Sequence, residues 1–390
     1  MNLRNLPRLT FWRAVLVLIL AAGFYSTILR FAKGLGASTA LADRFPWGLW
    51  IGFDVLCGVG LAAGGFTLAA IVYVFHLERF HPILRPTILT AFLGYALVAV
   101  ALLYDLGRPY RIWHPLVMWN PHSVMFEVAW CVMLYLTVLA LEFSPAVLER
   151  FRLERPLKLL RALTIPLVIA GVLLSTLHQS SLGSLFLIVP EKLHPYWYTP
   201  LLPVFFFISA VGVGLAMVIF ESNLSARAFG REIEMPLLAV LGKAMAVVLA
   251  VYGLLRLQDL YGRGALVHLR EPSPETVLFV LEVVLGVLIP LPLLFLRRVR
   301  EDREGLFAAS VLVITGFILN RLNVSITGLE ASAHAHYFPK WTELAVTLSI
   351  VGMGFLLFAL AVRYLNVYEH EVTEAAGARE TGIEVSAARA

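Results

Sequence analysis

The stretch ALTIPLVIAGVLLSTLHQSSLGSLF, residues 162–186, joins a long apolar run to a cluster of hydrogen-bonding side chains. A run of about 20 apolar residues is long enough to cross the hydrocarbon core of a bilayer as a helix. Such a helix satisfies its own backbone polar groups, which lipid cannot do. The stretch therefore predicts a membrane-spanning helix whose end carries a polar site that includes His178 and Gln179.

The same apolar pattern recurs along the whole chain. Of its 390 residues, 59% are hydrophobic and 15% are charged, whereas soluble domains carry about 25% charged residues. We therefore predict an all-α, polytopic integral membrane protein with about ten transmembrane helices. The predicted helices cover residues 11–31, 47–75, 85–106, 122–143, 160–182, 200–222, 236–258, 275–296, 306–326 and 342–364.

The two ends of the chain are predicted to lie in the cytoplasm. The first apolar run is too long for a signal-peptide core, so we expect an uncleaved first helix. The loops richest in arginine and lysine, 151–161 and 297–303, then fall on the side of the N-terminus, which the positive-inside rule assigns to the cytoplasm. Residues 1–366 are predicted to form one membrane domain, and 367–390 a polar, disordered cytoplasmic tail.

The net charge of the chain points to lipid rather than to nucleic acid. The formal charge is +5, and basic loops that face anionic headgroups account for it. We therefore expect membrane lipids, and no nucleic acid, as partners.

Ionisable side chains inside the predicted helices are biased towards the outer half of the membrane. Each such group costs about 2.5–3.5 kcal/mol at a helix centre, so its position is informative. Asp54, Glu127 and Glu282 lie well inside helices that enter from outside, and Asp105, His178 and Arg321 lie near outer helix ends. This bias predicts a polar cavity near the outer face.

A purely structural explanation of these groups stays open. Terminal charges can extend towards the headgroups, and groups on one helix can neutralise each other. Arg256 and Asp259 have the i, i+3 spacing at which such a pair forms.

The sequence predicts a quinone as the ligand of the outer cavity. The two cysteines, Cys57 and Cys131, are isolated, so we expect no iron–sulfur cluster or zinc site in this chain. His76 lies at the inner end of helix 2 and His178 at the outer end of helix 5, on opposite sides of the membrane. They cannot share one iron, so we also expect no haem. Quinone carbonyls need groups that donate or accept protons near neutral pH. The predicted quinone-binding residues are Asp54, Asp105, His178, Gln179 and Arg321.

A second set of ionisable residues predicts a proton relay. Glu127 and Glu282 lie in the outer halves of their helices, and Glu221 and Lys243 lie in inner halves. If they converge, protons could pass between the cytoplasm and the quinone. No catalytic residue and no metal site is predicted.

Six stretches of the chain resemble the integral membrane subunit of hydrogenase-2-type [NiFe] hydrogenases, within the wider polysulfide-reductase/NrfD-type family of membrane anchors. The resemblance runs from helix 2 to helix 10 in the same motif order. It rests on FPWGLWIGFDVLCGVGLAAGGF (45–66), YDLGRP (104–109), NPHSVMFEVAW (120–130), LHQSSLGSLF (177–186), LHPYWYTPLLP (193–203) and YFPKWTEL (337–344).

The resemblance implies both an architecture and partners. It implies two four-helix bundles, helices 2–5 and 6–9, with helices 1 and 10 outside, in a bacterial inner membrane. It also implies electron exchange between a periplasmic ferredoxin-type iron–sulfur subunit, beside the small and large [NiFe] hydrogenase subunits, and menaquinone or ubiquinone. Such subunits are often labelled cytochrome b, although this branch lacks the haem ligands. The loops 183–199, 259–275 and 327–341 would dock the partner through Tyr196, Trp197, Tyr198, Phe338 and Trp341.

Three other functions are weighed against this one. The same family serves molybdenum enzymes such as polysulfide, nitrite and dimethyl sulfoxide reductases, and this chain alone does not name its catalytic partner. A secondary transporter would have helices broken near the membrane centre, as Pro166, Pro290 and Pro292 would allow. A passive anchor would hold an enzyme without binding quinone, and buried Asp54 and Glu127 would then serve no purpose.

Overall fold

Ten long helices dominate the computed structural model, which describes residues 10–189 and 192–368. Within this part of the chain, all ten are long and apolar enough to cross a membrane, which confirms the predicted all-α, polytopic fold. We number them 1 to 10 in chain order: Phe11–Lys33, Trp50–Val74, Glu78–Asp105, Val124–Arg150, Thr164–Ser184, Leu202–Phe229, Met235–Gly262, Pro274–Phe295, Arg303–Glu330 and Trp341–Tyr364.

Several helices continue beyond the apolar runs from which they were predicted. Helix 4 runs on to Arg150 and helix 6 to Phe229, because backbone hydrogen bonds remain favourable where charged side chains reach the headgroup region. Glu149, in the extension of helix 4, pairs with Arg85 at 3.1 Å and with Arg161 at 3.0 Å. Helix 5, by contrast, begins only at Thr164, because the preceding residues form a separate amphipathic helix.

Shorter elements connect or interrupt the ten helices. Helices 2, 8 and 9 contain π-helical turns, which often mark functional sites. The turn in helix 8 precedes Pro290, whose ring lacks an N–H and crowds the carbonyl one turn earlier. The π segments are Trp50–Cys57, Ala70–Val74, Val284–Leu288 and Asn323–Thr327. The short helices are Leu35–Ser38, Pro109–Arg111, His114–Leu116, Glu154–Ala162, Ala265–Arg270 and Arg297–Glu301.

The long helices pack as two four-helix bundles. Helices 2–5 form the first bundle and helices 6–9 the second, and helices 2 and 5 pack against helix 6 to join them. Helices 1 and 10 pack against each other outside the bundles, along helices 2 and 3. This arrangement confirms the predicted core of two four-helix bundles.

The fold has two distinct membrane faces. The loop face carries residues 106–123, 185–189, 192–201, 263–273 and 331–340, and the terminal face carries residues 10 and 365–368. One apolar core lies towards the loop face and includes Tyr196 and Phe279; a second lies towards the terminal face and includes Phe80 and Leu294.

The first two residues of the predicted tail lie within the described structure. Val367 is 2% exposed, and the hydroxyl of Tyr368 is hydrogen-bonded to that of Ser225. Burial raises the pKa of Tyr368. These two residues therefore pack against helix 6, and the remainder of the predicted tail, 369–390, lies outside the described residues.

Candidate functional site

Helices 4 and 5 of the first bundle meet along faces that carry polar side chains. On helix 5, Gly171, Ser175 and His178 recur at the three- and four-residue spacing of one helix face. On helix 4, Tyr135 and Glu142 are seven residues apart and so also share a face. The interface between these helices is therefore the polar interior of the first bundle.

His178 is completely buried in this interface. Its exposure is 0%, and no other histidine of the described chain is buried. Neither Nδ1 nor Nε2 has a hydrogen-bond partner among the described residues, and the nearest aromatic neighbour, Tyr95, lies 5.7 Å away between ring centroids. A buried polar group left unpaired costs about 1–3 kcal/mol, so such groups commonly face a ligand or water.

The neighbours of His178 are held by defined hydrogen bonds. Gln179 Nε2 donates to Val59 O at 3.1 Å and lies 3.4 Å from the hydroxyl of Tyr95. Ser181 Oγ lies 2.5 Å from Glu127 Oε1 and 2.8 Å from Leu177 O. The polar residues that end helix 5 thus tie it to helices 2, 3 and 4 around the unpaired imidazole.

Further unpaired atoms continue the site towards the terminal face. Within the described chain, Tyr135 OH, Ser175 Oγ and Glu142 Oε1 are buried without hydrogen-bond partners. The rings of Tyr95 and Tyr135 are 4.7 Å apart. A polar column therefore extends from Glu127 to Glu142, about 22 Å at 1.5 Å per residue. Sequence analysis did not assign Glu142 to the site, although its spacing from Tyr135 is the signal that identifies it.

Two predicted quinone-binding residues lie elsewhere, against helices 1 and 10. Asp54 is 6% exposed and accepts a hydrogen bond from Thr347 of helix 10 at 2.8 Å. Asp105 lies near Arg30 of helix 1, whose guanidinium donates to the carbonyls of Tyr104 and Leu106. Among the residues described, no hydrogen bond or ion pair joins either carboxylate to His178.

The second bundle contains a different kind of polar cluster, centred on Glu282. Trp197 Nε1 and Asn323 Nδ2 donate to Oε2 at 2.8 and 2.9 Å. Asn320 Nδ2 donates to Oε1 at 2.8 Å, and Arg256 Nη2 lies 2.9 Å from the same oxygen. Oε2 therefore accepts two hydrogen bonds, and Oε1 accepts one and forms an ion pair with Arg256. This geometry gives Glu282 a structural role, and its predicted part in a proton relay stays a prediction.

Arg256 and Arg321 both contribute to this cluster. Arg256 does not pair with Asp259, as the i, i+3 spacing predicted; Asp259 instead binds Arg263 at 2.7 Å. Arg321 is 1% exposed, donates to Asn320 Oδ1, Phe206 O and Ser209 Oγ, and lies 3.6 Å from the ring centroid of Phe206. Arg321 thus belongs to the second bundle, apart from His178.

A cavity of about 520 Å³ adjoins the second cluster. Its walls are mainly apolar side chains of helices 6–9, and its polar lining includes Ser209, Tyr252, Arg256, Glu282 and Asn320. It is large enough for part of a small amphiphilic molecule.

The remaining residues of the predicted relay do not converge. Glu221, on helix 6, lines a small pocket with Arg231 and Tyr368 at the terminal face. Lys243 is exposed on helix 7, and no hydrogen bond or ion pair involves it in the part of the chain described. Of the four predicted relay residues, Glu127 contacts the residues around His178, through Ser181. Its side chain is exposed at the edge of the bundle, so the prediction that Glu127 is buried is wrong.

The loop face differs from the predicted docking surface. Tyr196 and Trp197 are each 1% exposed, because Tyr196 stacks on Phe279 at 4.3 Å and Trp197 binds Glu282. Phe338 is 83% exposed and Trp341 is 59% exposed. The loop 106–123, which the sequence analysis did not single out, adds further exposed apolar side chains at this face: Tyr110, Trp113, Val117, Met118 and Trp119.

Three curated proteins resemble this chain along most of its length. A protein of Nitratidesulfovibrio vulgaris is 44% identical, over 90% of this chain and 93% of its own. The Escherichia coli protein named "Probable Ni/Fe-hydrogenase 2 b-type cytochrome subunit" is 35% identical, over 87% of each chain. The integral membrane subunit of a menaquinone reductase of N. vulgaris is 28% identical, over 94% of each chain.

The name of the E. coli relative corrects one prediction. That protein is named a b-type cytochrome subunit, so the prediction that this chain holds no haem is wrong by this comparison. The prediction considered only histidine pairs, whereas haem iron also accepts other axial ligands. Among the described residues His178 is the one buried histidine, and no second histidine contacts it. A haem held by two histidines therefore does not fit this arrangement.

The comparisons confirm the family that the sequence motifs indicated. The sequence model of the family described as polysulphide reductase, NrfD, matches residues 37–332. This range includes helices 2–9, and so both four-helix bundles. The chain therefore belongs to the NrfD family of multi-pass membrane subunits.

Proposed function

We propose that this chain exchanges electrons between a redox partner on its loop face and a quinone in the membrane, as the membrane subunit of a hydrogenase complex. The observation that carries the proposal is the burial of His178 with both ring nitrogens unpaired. The names of two relatives support it, since one is a hydrogenase subunit and the other a menaquinone reductase subunit.

The first bundle supplies the chemistry that a quinone headgroup requires. A quinone takes up two electrons and two protons to become a quinol, and the reverse reaction returns them. A ring N–H of His178 can donate a hydrogen bond to one carbonyl oxygen and pass its proton to that oxygen while the other ring nitrogen takes up a proton, so that the imidazole stays neutral. Gln179 and the Ser181–Glu127 pair fix the surroundings of the imidazole. Asp54, Asp105 and Arg321 would act from a distance, through the charge that they place near the helix ends.

The loop face is the side on which we place the redox partner. The basic loops 151–161 and 297–303 lie on the terminal face, so the positive-inside rule assigns that face to the cytoplasm and the loop face to the periplasm. A ferredoxin-type iron–sulfur subunit, beside the small and large [NiFe] hydrogenase subunits, would dock there. Exposed Trp113, Trp119 and Phe338 provide the aromatic contacts that protein interfaces favour.

Replacement of His178 tests this function. In the intact complex, His178→Ala is expected to abolish hydrogen-dependent quinone reduction while hydrogen-dependent reduction of a soluble dye is unchanged. The exposed His81→Ala is the matched control and should keep both activities. Normal quinone reduction by His178→Ala would overturn the proposal. If the chain purified with a molybdenum enzyme instead of a hydrogenase, the proposed quinone site would stand and only the proposed partner would change.

Protons for the quinone would travel along the polar column between helices 4 and 5. Glu127 lies at the loop-face end, and Glu142, with a buried and unpaired oxygen, lies at the other end. Glu149 and its arginine partners lie two turns closer to the terminal face. The sequence also predicted Glu221, Lys243 and Glu282, and the contacts of the first bundle favour Glu127 and Glu142 over these three.

Two matched carboxylates separate the possible routes. Glu142→Gln is expected to slow quinone-linked turnover at least tenfold with dye reduction unchanged, because the amide cannot carry a proton. Glu221→Gln, at a similar depth on helix 6, should change it less than twofold. Equal effects, or an effect of Glu221→Gln alone, would count against the column.

A further inference from the structure

The second bundle opens towards lipid between helices 7 and 8. Helix 7 packs closely on the Pro290–Phe295 end of helix 8 and diverges from its Pro274–Val283 end. Four residues that line the 520 Å³ cavity are also strongly exposed on the lipid side of this opening: Leu254 at 67%, Leu257 at 56%, Val280 at 42% and Leu288 at 59%. A hydrocarbon chain could therefore enter the cavity directly from the membrane.

The loop-face end of the cavity holds a guanidinium with unused hydrogen-bonding capacity. Arg256 is 7% exposed. Its Nη1 donates to Tyr252 OH at 2.9 Å. Its Nη2 lies 2.9 Å from Glu282 Oε1 as an ion pair, but neither Nη2 nor Nε has a hydrogen-bond partner among the described residues. A guanidinium carries five N–H donors and no acceptor, so the missing partner must be an acceptor.

The charges around the cavity favour an anion. Arg256 and Arg321 contribute two positive charges, whereas Glu282 contributes one negative charge. The polar partners of Arg321 are the uncharged groups Asn320, Ser209 and the carbonyl of Phe206. Asp259, the next carboxylate along helix 7, is neutralised by Arg263. One buried positive charge therefore remains without a counter-charge. A quinone headgroup is neutral and would not compensate this charge, whereas an anion would.

We propose that this cavity binds an anionic phospholipid, with its phosphate at Arg256 and an acyl chain between helices 7 and 8. The phosphodiester provides the acceptor oxygens and the single negative charge that the site lacks. The site is separate from the column that contains His178, so the proposal goes beyond the proposed quinone chemistry.

Two tryptophan variants of matched exposure test the site. Val280 lines the cavity and is 42% exposed. Val251, five residues before Arg256 on helix 7, is 45% exposed and does not line the cavity. The full chain would be placed in phosphatidylcholine nanodiscs containing a small fraction of phosphatidylglycerol, and the lipids retained on release would be measured by native mass spectrometry. We expect one retained phosphatidylglycerol in the parent and in Val251→Trp, and about tenfold less in Val280→Trp, equivalent to about 1.4 kcal/mol.

A second variant keeps the test decisive if Val280→Trp does not fold. Arg256→Lys preserves the charge but loses the Nε donor and the planar fork, so retention should fall severalfold while the Glu282 pair persists. Equal retention of phosphatidylglycerol in all variants would overturn the proposal. Equal retention of phosphatidylcholine and phosphatidylglycerol would also overturn it, as would a quinone found at this site in place of a phospholipid.

Discussion

The two four-helix bundles both bury polar side chains in the membrane, but they satisfy them to different extents. In the first bundle, His178, Tyr135, Ser175 and Glu142 have buried atoms without partners in the described structure. In the second, both oxygens of Glu282 accept hydrogen bonds, and the unpaired atoms belong to Arg256 beside a cavity. A satisfied network rigidifies a protein, whereas an unsatisfied one remains available for a ligand.

This difference assigns separate tasks to the bundles. The second bundle holds the Trp197 segment and helices 7–9 together through one carboxylate. The first bundle keeps uncommitted donors and acceptors along helices 4 and 5, where a headgroup and protons can use them. Substitutions of polar residues in the second bundle should therefore reduce stability, whereas those in the first bundle should reduce quinone-linked activity.

The largest expected effect on stability follows from breaking the Arg256–Glu282 pair. Arg256→Met leaves a buried carboxylate without its cation and should cost about 3–5 kcal/mol, measured by thermal unfolding of the purified chain. The double variant Arg256→Met, Glu282→Gln should recover more than half of this loss, because it removes the buried carboxylate that had lost its cation. Failure of the double variant to recover stability would show that packing, rather than charge, dominates the cluster.

Glycine substitutions compare the packing of the two bundles. A Cβ atom at Gly316 would overlap the Cα of Gly286 on helix 8, so Gly316→Ala should destabilise by about 1–3 kcal/mol or more through overpacking. A Cβ at Gly171 in the first bundle would lie 3.3 Å from Val138, and Gly171→Ala should cost clearly less. Similar unfolding temperatures for both variants would mean that helices 4 and 5 are packed as tightly as helices 8 and 9.

A third pair of variants compares a satisfied with an unsatisfied polar group. Asn323→Ala removes a donor from Glu282 and should cost about 1–3 kcal/mol. Ser175→Ala removes a buried hydroxyl that has no partner among the described residues, so it should be neutral or slightly stabilising, yet slow quinone-linked turnover. A stability loss in Ser175→Ala equal to that of Asn323→Ala would contradict the distinction between the bundles.

The smallest expected effect is the pH dependence of stability that arises from His194, in the loop between helices 5 and 6. Burial, as the main cause, lowers the pKa of His194, and its Nδ1 accepts a hydrogen bond from Tyr196 N at 3.3 Å. The unfolded chain therefore binds a proton at His194 more readily than the folded chain does. The stability that neutral His194 contributes is complete above about pH 6.5 and is lost as the pH falls below that value. His194→Gln should flatten the pH dependence of thermal unfolding between about pH 7 and 5, whereas the exposed His122→Gln should not.

The fold was predictable from the sequence because each membrane-spanning helix must be apolar along its own length. The ten helices and the end of helix 5 at LHQSSLGS follow from that local requirement. Helix pairing is not local: Arg256 shares a helix face with Asp259 by spacing, but the fold places Glu282 of helix 8 against it.

The candidate site was predictable only in part for the same reason. His178, Gln179 and Glu127 could be recognised because their helix ends carry too many polar groups for an apolar environment. The sequence did not show which faces meet, so Asp54 and Arg321 were grouped with His178 although they contact helix 10 and helix 6. Lys243 was assigned to the proton relay, whereas its side chain is exposed.

The most direct test of the account is to locate the quinone headgroup by cross-linking. A photoreactive quinone would be added to the intact complex in membranes, and the labelled peptides identified by mass spectrometry. We predict labelling of the helix 5 end around 174–186 and of the neighbouring part of helix 3 around Tyr95, and its loss in His178→Ala. Labelling confined to helices 7 and 8 around Arg256 and Glu282 would contradict the assignment of the quinone to the first bundle.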